Sequence, residues 1–378
     1  MKNFSQIILA FGLGAFLFAS CSTSDQGQLV GVQDRPSWDP QQPFGMVYVP
    51  SGVLHIGQSS QDIFSTYTQR NKSISINGFY MDDSEITNNE YRQFTKWAKD
   101  SIAHVYLDHF IEDDFGNSSI DWEMEIDWND EALAGLFHTG DDAFGGKKEF
   151  DTGKLVFEYK WKDWRKAATN PNASRSSIIK SDETNIYPDT LCWIRDFSYS
   201  YNEPMTRNYY WHPGFDDYPV VGVSWKMAKA FSYWRTKLWN KHMNDQPNSE
   251  DFRLPTEWEF EYAARGGQDL APYPWGAYYT RNAKGCLLAN FKPGRGNYPE
   301  DGGMYTVNAY AYDPNDYGLY NMSGNVAEWT ESSYSANAYE FISDMNPDIK
   351  YDAKPDDHKS LKRKTIKGGS WKDVSYYL

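Results

Sequence analysis

The sequence predicts an α+β domain of short strands, a few firmly capped helices and long irregular connections. Apolar and polar residues alternate in runs of four or five, Thr-x-x-Glu boxes open two helical segments, and Gly, Asn and Pro crowd the stretches between. A backbone of that kind cannot be held by ladders alone, so side chains must tie its loops.

Residues 46–49 and 53–57 read as a β-hairpin around Pro50-Ser51-Gly52, and residues 73–76 add an alternating strand. Thr87-Asn88-Asn89-Glu90 is a capping box that starts a helix with Tyr91, Phe94 and Ala98 on one face, expected to pack on the hairpin. Residues 101–215 break the pattern and read as an insertion. Between Asp108 and Glu131 the chain carries ten Asp or Glu and no Lys or Arg, interrupted by Trp122, Ile126 and Trp128, which reads as a solvated face or a docking site for a basic partner. Downstream, Leu155, Phe157, Tyr159 and Trp161 alternate with charge, as on a half-exposed edge strand. Residues 218–225 read as a strand running into a helix capped by Ser224, with Met227, Phe231, Trp234 and Leu238 in the core. Thr256-Glu257-Trp258-Glu259 opens another short helix, and loops with short strands follow.

At the other end, Met1 and Lys2 precede an apolar run over 7–18, and Ala19-Ser20 lead to Cys21. That order is a bacterial signal peptide (1–20) ending in a lipobox-like site, so Cys21 is expected to become an acylated N-terminus. Residues 21–43, rich in Ser, Asp, Gln, Gly and Pro, read as a tether from the lipid to the body at 44–378. Multiple acyl chains hold a protein to a membrane far more firmly than one.

The formal net charge of −15 argues against nucleic acid and against adhesion to anionic lipid through a basic patch. Aromatics make up 17% of the chain, including 28 Tyr and 15 Trp, which favours protein–protein surfaces. With Cys21 on lipid, Cys192 and Cys286 are left, either as a disulfide or as buried thiols. The seven His (55, 104, 109, 138, 212, 242 and 358) show no HxxxH or HxE grouping, and His104 and His109 are a poor helical pair, so an iron site is not expected.

Six ordered segments carry a family likeness: FYMDDSEITN (79–88), PVVGVSW (219–225), RLPTEWEFEYAARGG (253–267), YPWG (273–276), YGLYNMSGNVAEW (317–329) and GGSW (368–371). Together they resemble the formylglycine-generating-enzyme (sulfatase-modifying factor) domain over about 44–100 and 218–373. The resemblance implies an irregular fold related to C-type lectins. It also implies oxidation of a substrate cysteine by two copper-binding cysteines, placed two and seven positions after the aromatic of the Gly-Gly-Ser-aromatic strand. Here those positions are Asp373 and Leu378, neither of which is a thiol, so no copper and no catalysis of that reaction are expected. Two structural calcium sites are implied as well: Asn290 and Asp301 side chains with the Phe291 and Gly303 carbonyls, and Asn321 and Glu328 side chains with the Gly324 and Val326 carbonyls. Such oxygen-only sets suit a hard cation.

A narrower likeness lies mostly outside those segments. Cys21 with QLVGV (28–32), the acidic stretch, YPDT (187–190), WIRDFSYSYNEPM (193–205) and GGSWKDV (368–374) resemble the gliding-motility lipoprotein K family of the Bacteroidetes type IX secretion system. That resemblance implies a periplasm-facing outer-membrane lipoprotein that forms a ring with the soluble protein N (PorN). The sequence therefore reads first as a noncatalytic ring subunit. A formylglycine-generating-type oxidoreductase and a calcium-dependent glycan- or peptidoglycan-binding lipoprotein are the alternatives.

Overall fold

Alternation along the chain makes short strands, and the long connections decide which of them meet. The computed structural model describes residues 41–57, 70–112, 115–196, 198–199, 202–243, 250–294, 299 and 302–378. The expected signal peptide, Cys21 and Asp301 lie outside the described residues, as does the tether as far as residue 40. Near the start run β1 (Met46–Val49), β2 (Gly52–Ile56), β3 (Lys72–Ile76) and β4 (Phe79–Asp82). The expected hairpin of residues 46–57 does not form. Instead β1 pairs with β4, Met46 opposite Asp82, and β2 pairs with β3, Gly52 opposite Ile76, both antiparallel. Pro50 has no N–H to give to a ladder, and Gly52 packs so tightly that a Cβ there would lie 2.3 Å from the Tyr262 hydroxyl, so the chain crosses between two sheets.

Three long helices follow the capping signals. In α1 (Asn88–Tyr106) the Thr87 hydroxyl accepts the Glu90 N–H at 3.3 Å and Glu90 accepts the Thr87 N–H at 2.8 Å. Tyr91, Phe94 and Ala98 are buried as the spacing predicts. Their partner differs from the expectation. The Phe94 ring meets Trp234 of α2 (Trp225–His242) at 5.2 Å and Phe231 at 5.8 Å, so α1 packs on α2 rather than on β1 and β2. Those strands lie under α3 (Glu257–Arg265), where Leu54, Ile56, Ile74 and Ile76 cluster with Trp258 and Phe260. On α2, Ser224 caps as expected, but Leu238 is exposed and Trp239 is buried in its stead. The last turn of α2 leans on Phe44 and Phe252, both within 6.4 Å of the Trp239 ring, which carries the inner face one residue onward.

The stretch 101–215 begins inside α1 and supplies much of the second core. Its strands are β5 (Phe110–Glu112), β6 (Ser118–Ile120), β7 (Val156–Lys162) and β8 (Ile179–Asn185), paired as β5–β6 and β7–β8. Leu155 and Tyr159 are buried and Phe157 stands 5.2 Å from Phe94, while Val156, Glu158 and Lys160 face out, as the alternation predicts. The acidic segment is pinned by the apolar residues that interrupt it. Trp122 stacks on Trp97 at 5.6 Å, Lys99 lies over Trp128 at 4.4 Å, and Ile126 and Trp128 pack against Ala103, Leu133 and Leu136. Toward the C-terminus, β9 (Glu328–Ser333) pairs with β10 (Lys364–Lys367). No helix among the described residues is long and apolar enough to cross a membrane.

Helix α3 ends on Gly266 at φ +58°, the left-handed geometry glycine tolerates, and starts on a reinforced box. Glu259 accepts the Thr256 N–H at 2.7 Å and takes both Arg253 guanidinium nitrogens at 2.7 Å. Burial pushes this carboxyl up, but the Arg253 hydrogen bonds and charge outweigh it and hold its pKa below the ordinary value. A lowered folded pKa adds stability above the unfolded value, about 4.3, and that stability is lost as pH falls through the folded value. Glu259→Gln is therefore expected to cost about 1–2 kcal/mol at neutral pH, discounted because Arg253 is partly exposed. Urea titrations at several pH values should show the gap between the two proteins closing below about pH 4.

Candidate functional site

The segment between Gly318 and β9 has no ladder of its own, and its geometry is set by residues that accept positive φ. Asn321, Gly324 and Asn325 sit at φ +49°, +86° and +59°. Gly324 is obligatory there, since a Cβ would fall 2.5 Å from the Asn290 carbonyl oxygen. Facing the loop is Glu85, buried between the end of β4 and the cap of α1. Its Oε2 accepts from Asn321 Nδ2 at 3.0 Å and Asn325 Nδ2 at 2.8 Å, and its Oε1 from the Val326 N–H at 3.1 Å. Burial, then the nearby Glu328 charge, drive the Glu85 pKa well above the usual range, against the pull of these hydrogen bonds.

Asn325 joins the surrounding loops. Its Oδ1 accepts from Asn290 Nδ2 at 3.2 Å and the Val307 N–H at 2.8 Å, and its Nδ2 also reaches the Val307 carbonyl at 3.2 Å. Its N–H donates to the Asn290 carbonyl at 2.8 Å and its own carbonyl accepts the Trp371 N–H at 3.0 Å. Four loops, at 290, 307, 321–326 and 368–371, thus meet on one residue with no exposed surface. Neither Glu85 nor Asn325 was singled out as a site residue from sequence, although each lies inside a segment that carries the family likeness.

Two sets of oxygens flank this centre. Asn290 uses Nδ2 toward Tyr305 and Asn325, leaving Oδ1 without a hydrogen bond among the described residues, and Gly302 and Gly303 lie beside it. Asn321 likewise spends only its Nδ2, on Glu85 and the Ala309 carbonyl. The Phe291, Gly303, Gly324 and Val326 carbonyls accept no hydrogen bond from any described residue. Neither Asn290 Oδ1 nor Asn321 Oδ1 is among the buried side-chain atoms left without a partner, so what fits a hard cation is the oxygen-only chemistry of the two expected ligand sets. The half-buried Glu328, whose carboxylate has no hydrogen-bond or ion-pair partner among the described residues, is pushed up to about 8 by burial and by the Asp82 charge. No group of three or more His, Cys, Asp or Glu able to hold a metal occurs among the described residues.

A third feature is the turn after β10. Ser370 donates to Asp373 Oδ2 at 2.6 Å, and the Asp373 carbonyl accepts the Lys292 N–H at 2.8 Å. Leu378 packs with Leu287, Ala289 and Phe291. Trp193 lies parallel to Trp371 at 6.4 Å and 17°, and Tyr305 meets both rings edge-on within 5.9 Å. Cys192, next to Trp193, is half-buried and Cys286 is exposed; they form no disulfide, and the expectation of two buried thiols fails at Cys286, which sits in an exposed turn with its N–H on Asn282. Contrary to their helical spacing, His104 and His109 bring their Nδ1 atoms to 3.0 Å, because α1 stops at Tyr106 and Asp108 at φ +57° turns the chain back.

The model of the sulfatase-modifying factor enzyme 1-like domain matches residues 32–377. The formylglycine-generating enzyme of Bos taurus is 26% identical over 343 residues, covering 89% of this chain and 68% of that protein. Higher identity is confined to shorter stretches. The inactive C-alpha-formylglycine-generating enzyme 2 of Bos taurus is 43% identical over 122 residues, and the formylglycine-generating enzyme of Thermomonospora curvata 41% over 127. Each of these covers 32% of this chain, which spans only 35% of either relative's length. Among solved structures, PvdO from Pseudomonas aeruginosa overlays with a TM-score of 0.47 at 14% identity, covering 88% of this chain and 84% of that one. With a family model that takes in almost its whole length, the chain belongs to the sulfatase-modifying factor enzyme 1-like family.

Proposed function

We propose that this chain is a noncatalytic structural member of its family, an outer-membrane lipoprotein anchored through Cys21 that builds a periplasmic ring of the type IX secretion system with protein N. The observation that carries the noncatalytic part is the turn after β10. At the positions matching the family's copper-binding cysteines stand Asp373, committed to Ser370, and Leu378, committed to an apolar cluster. Copper(I) and a substrate thiol need soft sulfur ligands, and a hydrogen-bonded carboxylate beside a leucine offers none. Trp193 and Tyr305 further pack against Trp371, next to this turn. The placement at the outer membrane and the ring rest on the sequence likeness and the lipobox.

Calcium has a structural role in this reading. Asn290, Phe291, Asp301 and Gly303 would hold one ion, and Asn321, Gly324, Val326 and Glu328 another; the bound ion supplies the counter-charge Glu328 lacks. The glycan-binding alternative has one observation to weigh. Tyr310 is half-exposed beside the loop, but it stands at 77° to Tyr320 and donates to Asp83 at 3.2 Å, so it offers no flat stacking platform.

Chelation is expected to lower the melting temperature and calcium to restore it, while Glu328→Ala removes most of the calcium response; a melting curve indifferent to chelator would count against bound calcium. Mild detergent extraction from the native envelope, with mass determination and identification of co-purifying proteins, tests the assembly. A megadalton-scale particle with a second soluble protein in fixed ratio is the expected outcome. A lone monomer that turns over a cysteine peptide with copper would overturn both halves of the proposal.

A further inference from the structure

The hairpin that follows α1 carries side chains that the rest of the fold does not use. Strands β5 and β6 pair only with each other among the described residues, so each keeps an open edge of backbone donors and acceptors. Around them Val105, Tyr106, Phe110, Ile111 and Met124 are between 43% and 53% exposed. Large apolar side chains gathered in one short stretch mark a surface that is covered in use.

The charges indicate what covers it. Asp108, Glu112, Asp121, Glu123 and Glu125 form no ion pair among the described residues. Several acids elsewhere are paired, Asp82 with Arg235, Asp163 with Lys180 and Glu261 with Arg265 and Lys367, whereas this run of five lies in one short stretch beside exposed apolar side chains. A second copy of the chain is a poor occupant, because each copy brings a net charge of −15. A free small cation would leave the apolar side chains uncovered. What satisfies the open strand edge, the apolar side chains and the unmatched acids together is an extended peptide that pairs with the edge through its backbone.

We infer that the end of α1 and the β5–β6 hairpin dock a basic segment of a partner protein, in which Lys or Arg alternates with apolar side chains. The inference stands on the hairpin itself and goes beyond the question of which assembly the chain joins. Charge complementarity sets the encounter, and the apolar contacts set how long it lasts.

The test titrates the full-length chain in mild detergent with a labelled synthetic peptide of alternating lysine and valine, and with lysine–serine and glutamate–valine peptides of the same length. The lysine–valine peptide is expected to bind about tenfold or more tighter than either of the others, and to weaken as salt rises past about 0.1 M. Ile111→Ser and the pair Glu123→Gln with Glu125→Gln should each weaken it about fivefold or more, with the melting temperature unchanged. Equal binding of the lysine–serine peptide, which would mean charge attraction alone, overturns the inference, as does unchanged binding by both variants. Self-association of the chain that Ile111→Ser abolishes would assign the face to a second copy and overturn it as well.

Discussion

A carboxyl group almost out of reach of water, Glu85, faces three donors supplied by one loop, and the architecture around it depends on that meeting. The chain has five sheets of two strands each among its described residues, and its connections carry few regular hydrogen bonds. Asn325 supplies what a ladder would have: five loop contacts from one side chain and its own peptide groups. Leaving any of these groups buried and unpaired costs about 1–3 kcal/mol, so the cluster is either complete or strongly unfavourable. The Trp371 N–H on the Asn325 carbonyl extends the same control to the turn after β10.

Two aromatic cores stand on either side of that centre, one around Trp258 and Phe260 with the N-terminal strands, the other around Phe94 and Phe231 with the β7–β8 sheet. Tyr91, Phe94, Ala98, Phe231 and Trp234 of the second were legible in the sequence as buried, and their partners were not. Capping at Thr87 and Thr256 is decided within four residues, so both boxes could be read directly, and behind the first the buried face of Tyr91, Phe94 and Ala98. The pairing of β1 with β4 is decided across some thirty residues, and the local pattern of 46–57 was equally compatible with a hairpin until Pro50 and the Gly52–Tyr262 contact are considered. A helical stripe such as Tyr91, Phe94 and Ala98 announces burial but not the surface that buries it, hence the misplacement of α1. Leu238 fits the period and is exposed because the end of α2 turns toward Phe44 and Phe252.

Of the expected oxygen ligands, Asn321, Gly324, Val326 and Glu328 lie inside a segment that carries the family likeness, while Asn290, Phe291, Asp301 and Gly303 were implied by the resemblance alone. The site's organising residues were not legible, since a Glu in a short loop gives no local sign that it will be buried. The wider functional picture has the same logic. The fold keeps the polar centre that gives its loops a shape, commits Asp373 to Ser370 and Leu378 to an apolar cluster, and carries Asp108, Glu112, Asp121, Glu123 and Glu125 in and beside the β5–β6 hairpin, away from that centre in sequence.

Residue-resolved hydrogen exchange of the native protein tests the central role of the Glu85–Asn325 cluster most directly. The Val307, Asn325, Val326 and Trp371 amides, although in irregular segments, should be protected to the same degree as those in the middle of α1 and α3, opening only with global unfolding. Exchange of these four amides at the rate of ordinary surface loops, with the helices still protected, would contradict the account.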